Sequence, residues 1–176
     1  MLIFYQHVYL VFYRHLKVET NNMVDQKLIE NLVTIAKKQD GVEKFVVGAV
    51  ITINERILLL RRVPNDFMGG LVELPSGTVD AGEDLIMALK RESMEETGLI
   101  VEKVIKFLNS FDYVSSSGKK TRQFNFMVDV ATGNEVKLSP LEHDAYYYVQ
   151  FNDEAFKILN ISENVKEVLI SMCKRN

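Results

Sequence analysis

Apolar positions along the chain change period several times, and each change marks an element. From Val24 to Lys38 the side chains Leu28, Leu32, Ile35 and Ala36 recur at helical spacing and Asp40-Gly41 closes the segment, which predicts a leading amphipathic helix. The runs Phe45–Ile51 and Ile57–Leu60 are continuously apolar and rich in β-branched residues, with Asn54-Glu55 between them, and read as a hairpin of central strands buried on both faces. A loop carrying Pro64, Asn65, Asp66, Gly69 and Gly70 leads to a short strand over Leu71–Leu74. Helical character returns over Glu83–Thr97 and stops at Gly98, where a left-handed cap fits. Val101–Tyr113 and Arg122–Val130 form a second hairpin around the polar stretch 115–120. A strand at Tyr146–Phe151 and a closing helix at Ile161–Lys174, with Ile161, Val165, Val168, Leu169 and Met172 on one face, complete the series.

Strands interrupted by a few helices predict an α+β (mixed α/β) domain, a helix–sheet–helix sandwich around a mixed sheet. The length of 176 residues suits one core, and 47% hydrophobic with 26% charged residues are ordinary values for a globular chain. We expect one domain over residues 23–176, preceded by an extension, residues 1–22, of uncertain role. The apolar start Met1–Tyr13 contains Gln6 and His7, lacks a basic lead and a cleavage site, and is shorter than the roughly 20 residues of a membrane helix. It reads as an extra element packed on the domain, or as sequence ahead of a natural start at Met23.

Charge and cysteine content narrow the chemistry. With 21 Lys and Arg against 24 Asp and Glu the net charge is −3, so a long nucleic acid is not an expected partner. The single cysteine, Cys173, excludes an internal disulfide and a cysteine metal cage, and a cytoplasmic protein with no membrane association is expected.

The chemistry concentrates in GTVDAGEDLIMALKRESMEETGL, Gly77 to Leu99. Residues three and four apart share a helix face, so Glu92, Glu95 and Glu96 put three carboxylates into one small volume. Unpaired they repel; a hard divalent cation removes the repulsion and prefers such oxygen ligands. Arg91 stands one turn from Glu95 and beside Glu92, with a planar fork suited to fixing a carboxylate in one rotamer. Gly77 precedes the helix, where a missing Cβ permits close backbone approach. Glu83 has three readings: holding the loop, joining a metal shell, or complementing the helix dipole.

The fixed positions Gly77, Glu83, Arg91, Glu92, Glu95, Glu96 and Gly98 resemble the signature of the Nudix hydrolase family. Seven such matches at set spacing arise by chance on the order of once in a million chains of this length. Ser93 stands where the family has an aliphatic residue; on the helix it falls on the core side with Leu85, Ile86 and Leu89, so slightly poorer packing is expected. The resemblance implies a Nudix-type, MutT-like fold and Mg²⁺-dependent hydrolysis of a pyrophosphate bond in a nucleoside diphosphate derivative, with Mn²⁺ as a substitute. It implies metal binding by the Gly77 carbonyl, Glu92, Glu95 and Glu96, with Arg91 orienting them and Glu83 and Gly98 serving the motif's structure. For the base that takes the proton of the attacking water, Glu92 and Glu95 are candidates inside the motif. Outside it, the loop Ser139–Asp144 before the last strand offers Glu142, the preferred choice, while His143 reads as an ordinary loop residue.

Substrate contacts are expected from Arg61 and Arg62 on a distal phosphate, Phe67 (with Phe111 and Tyr113) in stacking, and Gln123 at a base edge. A small nucleotide is the expected partner, and a homodimer is left open. Val72 and Ser76 replace residues common before the motif, and no proline lies between Gly98 and Pro140, where ADP-ribose-type members carry one. A nucleoside triphosphate, including oxidised ones in a house-cleaning role, is therefore favoured over nucleoside diphosphate sugars and dinucleoside polyphosphates. The rivals are an isopentenyl diphosphate isomerase, rejected because Cys173 lies far from the motif, and a non-catalytic nucleotide-binding regulator, which would carry a damaged motif. Because every residue of the expected site lies beyond Ile57, removing residues 1–22 should leave hydrolysis intact. A folded truncation without activity would contradict this.

Overall fold

The hairpin that the two apolar runs predict forms and then splays apart. In the computed structural model, which describes residues 24–133, 135–150 and 154–173, β1 (Lys44–Ile53) and β2 (Arg56–Arg62) pair only beside their turn, Thr52 opposite Ile57 and Ile53 opposite Arg56. Asn54 and Glu55 both take positive φ, 48° and 64°, the backbone combination that a two-residue turn between twisted strands requires. Beyond it the residues 72–78 fill the fork. β3 (Val72–Glu73) pairs with β2, β4 (Ser76–Thr78) pairs with β1, and the intervening Pro75 carbonyl accepts from the Ala49 N–H at 2.8 Å. The far edge of β1 runs parallel to β6 (Lys120–Val130), which pairs antiparallel with β5 (Val101–Val114), and β7 (His143–Val149) runs antiparallel along β2. The sheet is thus mixed, as expected.

Alternation along the central strands divides the core into two layers. Val47, Ala49 and Ile51 with Leu58 and Leu60 face one side, where they meet Ile29 and Ala36 of α1 (Gln26–Lys38) and Leu85, Ala88 and Leu89 of α2 (Leu85–Thr97). Val50, Ile57 and Leu59 face the other, against Val165, Val168, Leu169 and Met172 of α4 (Glu163–Cys173). Phe124 and Phe126 of β6 are fully buried in the first layer, each contributing about 1.5–3 kcal/mol of hydrophobic stabilisation. This is the helix–sheet–helix sandwich that the pattern predicts, and none of its described helices is long and apolar enough to cross a membrane.

Several boundaries and faces differ from expectation. In α1 the buried positions are Ile29 and Ala36, while Leu28 and Ile35 are exposed; the helix phase, set by the Asp25 side chain accepting from the Leu28 N–H at 2.7 Å, turns them away from the sheet. The strand expected at Tyr146–Phe151 begins earlier, at His143, because its pairing with β2 starts at Arg62. Ile161 lies ahead of α4, in a bridge to Val72, and a short helix α3 (Glu154–Ile158) precedes it. Ser93 is buried on the core side and its hydroxyl donates to the Leu89 carbonyl at 2.7 Å, so its polarity is satisfied within the helix. Residues 1–22 lie outside the described residues.

Gly98 ends α2 at φ 70°, its N–H donating to the Met94 carbonyl at 2.9 Å, and a Cβ there would sit 3.2 Å from Lys137 Cβ. An L-residue in this conformation costs about 1–2 kcal/mol. Gly98→Ala should therefore lower the urea midpoint with an unchanged m-value; an unaltered midpoint would rule out the cap as a stability determinant.

Candidate functional site

The motif helix is set in phase by Asp84, whose side chain caps it by accepting from the Ile86 and Met87 N–H groups, both at 2.8 Å. About two turns later Arg91 spends its whole fork on the surroundings. Nε and Nη2 bind the two oxygens of Glu83 at 2.8 Å each, Nη1 reaches Glu92 at 2.8 Å and Glu95 at 3.0 Å, and Nη2 also donates to the Thr78 carbonyl at 2.9 Å. The bidentate partner is therefore Glu83. Glu83 lies before the cap residue, outside the helix, and also accepts from the Asp80 N–H at 3.1 Å, so of the three readings left open its contacts match the loop-holding one. Hydrogen bonds from Arg91, then from Asp80, hold its carboxyl at a pKa of about 2.

Glu92 and Glu96 turn toward β4. A Cβ on Gly77 would overlap the Glu92 carboxylate, so a side chain there would displace that carboxylate from its place. Glu96 is only 4% exposed and accepts from the Ser76 N–H at 2.7 Å. Burial pushes the Glu96 carboxyl well above the ordinary range, opposed by that backbone bond and reinforced by Glu73, Glu142 and Glu92 nearby. Burial likewise raises Glu92, against the pull of Arg91. One ion pair for Glu92 and one backbone N–H for Glu96 offset burial only in part, and a divalent cation among these carboxylates would offset more of it. Glu95 is more exposed and tied to the same guanidinium nitrogen as Glu92.

Glu92, Glu96, Ser76 and Gly77 form part of the wall of a cleft of about 470 Å³, and exposed Glu142 lines it from the loop before β7. Of the expected substrate residues, Arg62, Phe67 and Gln123 line this cleft, as do Phe111 and Tyr113. Arg61 does not: it pairs with Asp144 at 2.7 Å outside it. Arg62 is committed to its own neighbourhood, donating to Glu73 at 2.7 Å, to the Phe67 carbonyl at 2.8 Å and to Asp66. Gln123 is 7% exposed and its Nε2 donates to Asn125 Oδ1 at 2.9 Å, while Asn125 Nδ2 donates to Asn109 at 3.1 Å.

Two neighbours of the site were not expected from the sequence. Glu73 reaches the cleft because β3 lies in the hairpin fork, a placement that no local pattern announces. His143, read from the sequence as an ordinary loop residue, is instead the first residue of β7 and 2% exposed. It stands beside Glu96 and Glu142, and one ligand atom from each of the three lies within 4.8 Å of the others.

Comparison with known proteins agrees with this geometry. The family model described as NUDIX domain matches residues 43–169. The crystal structure of the MutT NUDIX hydrolase from Burkholderia pseudomallei is 25% identical over 73% of this chain and 96% of its own, with a TM-score of 0.63. The MutT protein from Methanosarcina mazei Go1 is 26% identical over 73% and 91%, with a TM-score of 0.64. An Ap4A hydrolase from C. elegans, 23% identical over 73% and 94% with a TM-score of 0.59, shares the fold. A search of curated proteins finds no match to the chain.

The Glu83–Arg91 pairing has a pH signature. Because the folded-state pKa of Glu83 lies below its unfolded value, near 4.3, its stabilisation is present above about pH 4.3 and is lost as pH falls toward 2. In a carboxyl-carbon NMR titration Glu83 should titrate near 2 in the wild type and return toward 4.3 in Arg91→Gln. Titration of Glu83 at its ordinary value in the wild type would exclude the pairing.

Proposed function

The chain belongs to the NUDIX domain family and is a Nudix pyrophosphohydrolase, and on that premise we propose that it hydrolyses a nucleoside triphosphate with Mg²⁺ as its cation and Mn²⁺ as a substitute. The observation that carries the reading is the burial of Glu92 and Glu96 against the Ser76-Gly77 backbone on a cleft of nucleotide size, burial that raises both carboxyls despite the bonds from Arg91 and Ser76. In this reading the Gly77 carbonyl, Glu95 and Glu96 hold the cation, and Arg91 keeps Glu92 and Glu95 in place while Glu83 fixes Arg91. The bound cation neutralises charge that develops on the phosphate oxygens during attack by water.

Sequence reasoning preferred Glu142 as the base; its place in the cluster with Glu96 and His143 favours the cation shell instead. Proton acceptance then falls to Glu92, which lines the cleft and whose pKa burial raises in the direction a base at neutral pH needs. Phe67, Phe111 and Tyr113 offer surfaces for the base, and Gln123 an amide for its edge. Arg62 sits at the phosphate end as part of an ion-paired group, and Arg61 is left out of the contact set. The triphosphate class rests on the resemblance to MutT-like members and on the lack of a proline between Gly98 and Pro140; the C. elegans Ap4A hydrolase contributes the fold alone, and dinucleoside polyphosphates and nucleoside diphosphate sugars are the substrates to compare.

Product release across a panel of these three classes with Mg²⁺ tests the substrate, and equal rates on all of them would defeat the preference. Glu95→Gln and Glu96→Gln should cut turnover by orders of magnitude and raise the Mg²⁺ concentration needed for half-maximal rate. Glu92→Gln should lower kcat by about 10²–10⁴-fold with little change in that concentration. Glu142→Gln should behave like Glu95→Gln; if it lowers kcat while the Mg²⁺ requirement stays put, Glu142 is the base and Glu92 is not.

A further inference from the structure

His143 poses a problem that its neighbours do not solve. The ring is 2% exposed, and among the described residues neither nitrogen has a hydrogen-bond partner. Nε2 faces Glu73 at 3.5 Å and Nδ1 faces Glu96 at 4.0 Å, both beyond good hydrogen-bond length. A buried ring nitrogen without a partner costs free energy until something binds it, and with Nε2 turned to Glu73 it is Nδ1 that is left for a ligand.

We propose that His143 supplies a nitrogen ligand, through Nδ1, to a divalent cation held also by Glu96 and Glu142, and that this position prefers transition-metal ions such as Mn²⁺ or Co²⁺ over Mg²⁺. The proposal rests on the reading that these two carboxylates belong to the cation shell. The three donors lie within 4.8 Å of one another, and neighbouring ligand atoms bonded at about 2.1 Å to one ion are about 3.0–3.4 Å apart, so side-chain rotation, chiefly of the exposed Glu142, would bring all three onto one ion. Glu73 stands where a carboxylate orients a metal-bound imidazole from its far nitrogen, and Glu73 is itself held by Arg62 at 2.7 Å. Imidazole suits the first-row ions beyond Mn²⁺ best; Mn²⁺ itself favours oxygen but accepts an imidazole more readily than Mg²⁺, which selects oxygen. A shell of mixed nitrogen and oxygen donors therefore discriminates by chemistry where an all-carboxylate one does not.

The test uses the full chain with His7→Gln and His15→Gln, so that His143 is the sole histidine, loaded with Mn²⁺ in imidazole-free buffer. Electron spin-echo modulation should show a directly coordinated ¹⁴N. Adding His143→Gln should abolish that signal and weaken Mn²⁺ binding, measured by calorimetry, by about tenfold or more, while Mg²⁺ affinity changes by less than about threefold. Bound Mn²⁺ without ¹⁴N coupling in the background protein overturns the inference and needs no folded His143 variant; hydrolysis with Mg²⁺ would then stand. Failure to bind Mn²⁺ or Mg²⁺ at all would overturn both this inference and the functional reading. Equal losses of Mn²⁺ and Mg²⁺ affinity in His143→Gln would refute the selectivity.

Discussion

The guanidinium of Arg91 is the constraint on which the rest of the site depends. It joins three pieces of chain through one group: the loop at Glu83, the strand carbonyl of Thr78, and the helix carboxylates Glu92 and Glu95. A lysine could satisfy the charge but not the directions, since only a planar fork addresses a bidentate carboxylate on one edge and two further acceptors on the other. The arrangement also explains the separation of duties among the acids. Glu83 is drawn so firmly to Arg91 that it stays ionised in acid, and its contacts hold the loop; burial raises Glu92 and Glu96 instead, which in the proposed reading suits Glu92 to accept a proton and Glu96 to bind a cation.

Why those two carboxylates are buried follows from the sheet. The β1–β2 hairpin parts after its turn and receives residues 72–78 into the fork, which places Ser76 and Gly77 directly against α2. The Ser76 N–H, free of pairing within β4 in that direction, donates to Glu96, and the bare Gly77 backbone leaves room for the Glu92 carboxylate. The cleft is therefore not carved into a finished fold. It is the space left where two strands of one hairpin diverge and a third segment only partly fills the gap.

What the sequence made legible was local. The seven motif positions fall within 22 residues, so helical spacing alone brings Glu92, Glu95 and Glu96 to one side of α2 and sets Gly98 at its end. Where local spacing left two faces nearly equal, as in α1, the choice went to Ile29 rather than Leu28 and Ile35, because the cap at Asp25 and the sheet beneath decide the phase. Glu73 and His143 were out of reach for a different reason. Their neighbours are 23 and 47 residues from them in sequence, at Glu96, and are set by strand register, about which periodicity says nothing.

That register is itself irregular, and the irregularity has chemical consequences. Between Arg61 and Arg62 the β2–β7 pairing skips a residue: Ala145 stands opposite Arg61 and His143 opposite Arg62, leaving Asp144 as the extra residue of a bulge. Asp144 turns out to Arg61, while His143 is turned in beside Glu73 and Glu96. Two adjacent arginines, indistinguishable in sequence, thus take opposite roles: Arg61 closes the bulge on the outside, and Arg62 holds the carboxylate that faces the buried imidazole. A strand paired without the bulge would present the opposite face of residue 143 to the site. The donor set of the proposed cation shell accordingly depends on one extra residue in an edge strand, as well as on the helix that carries the recognisable motif.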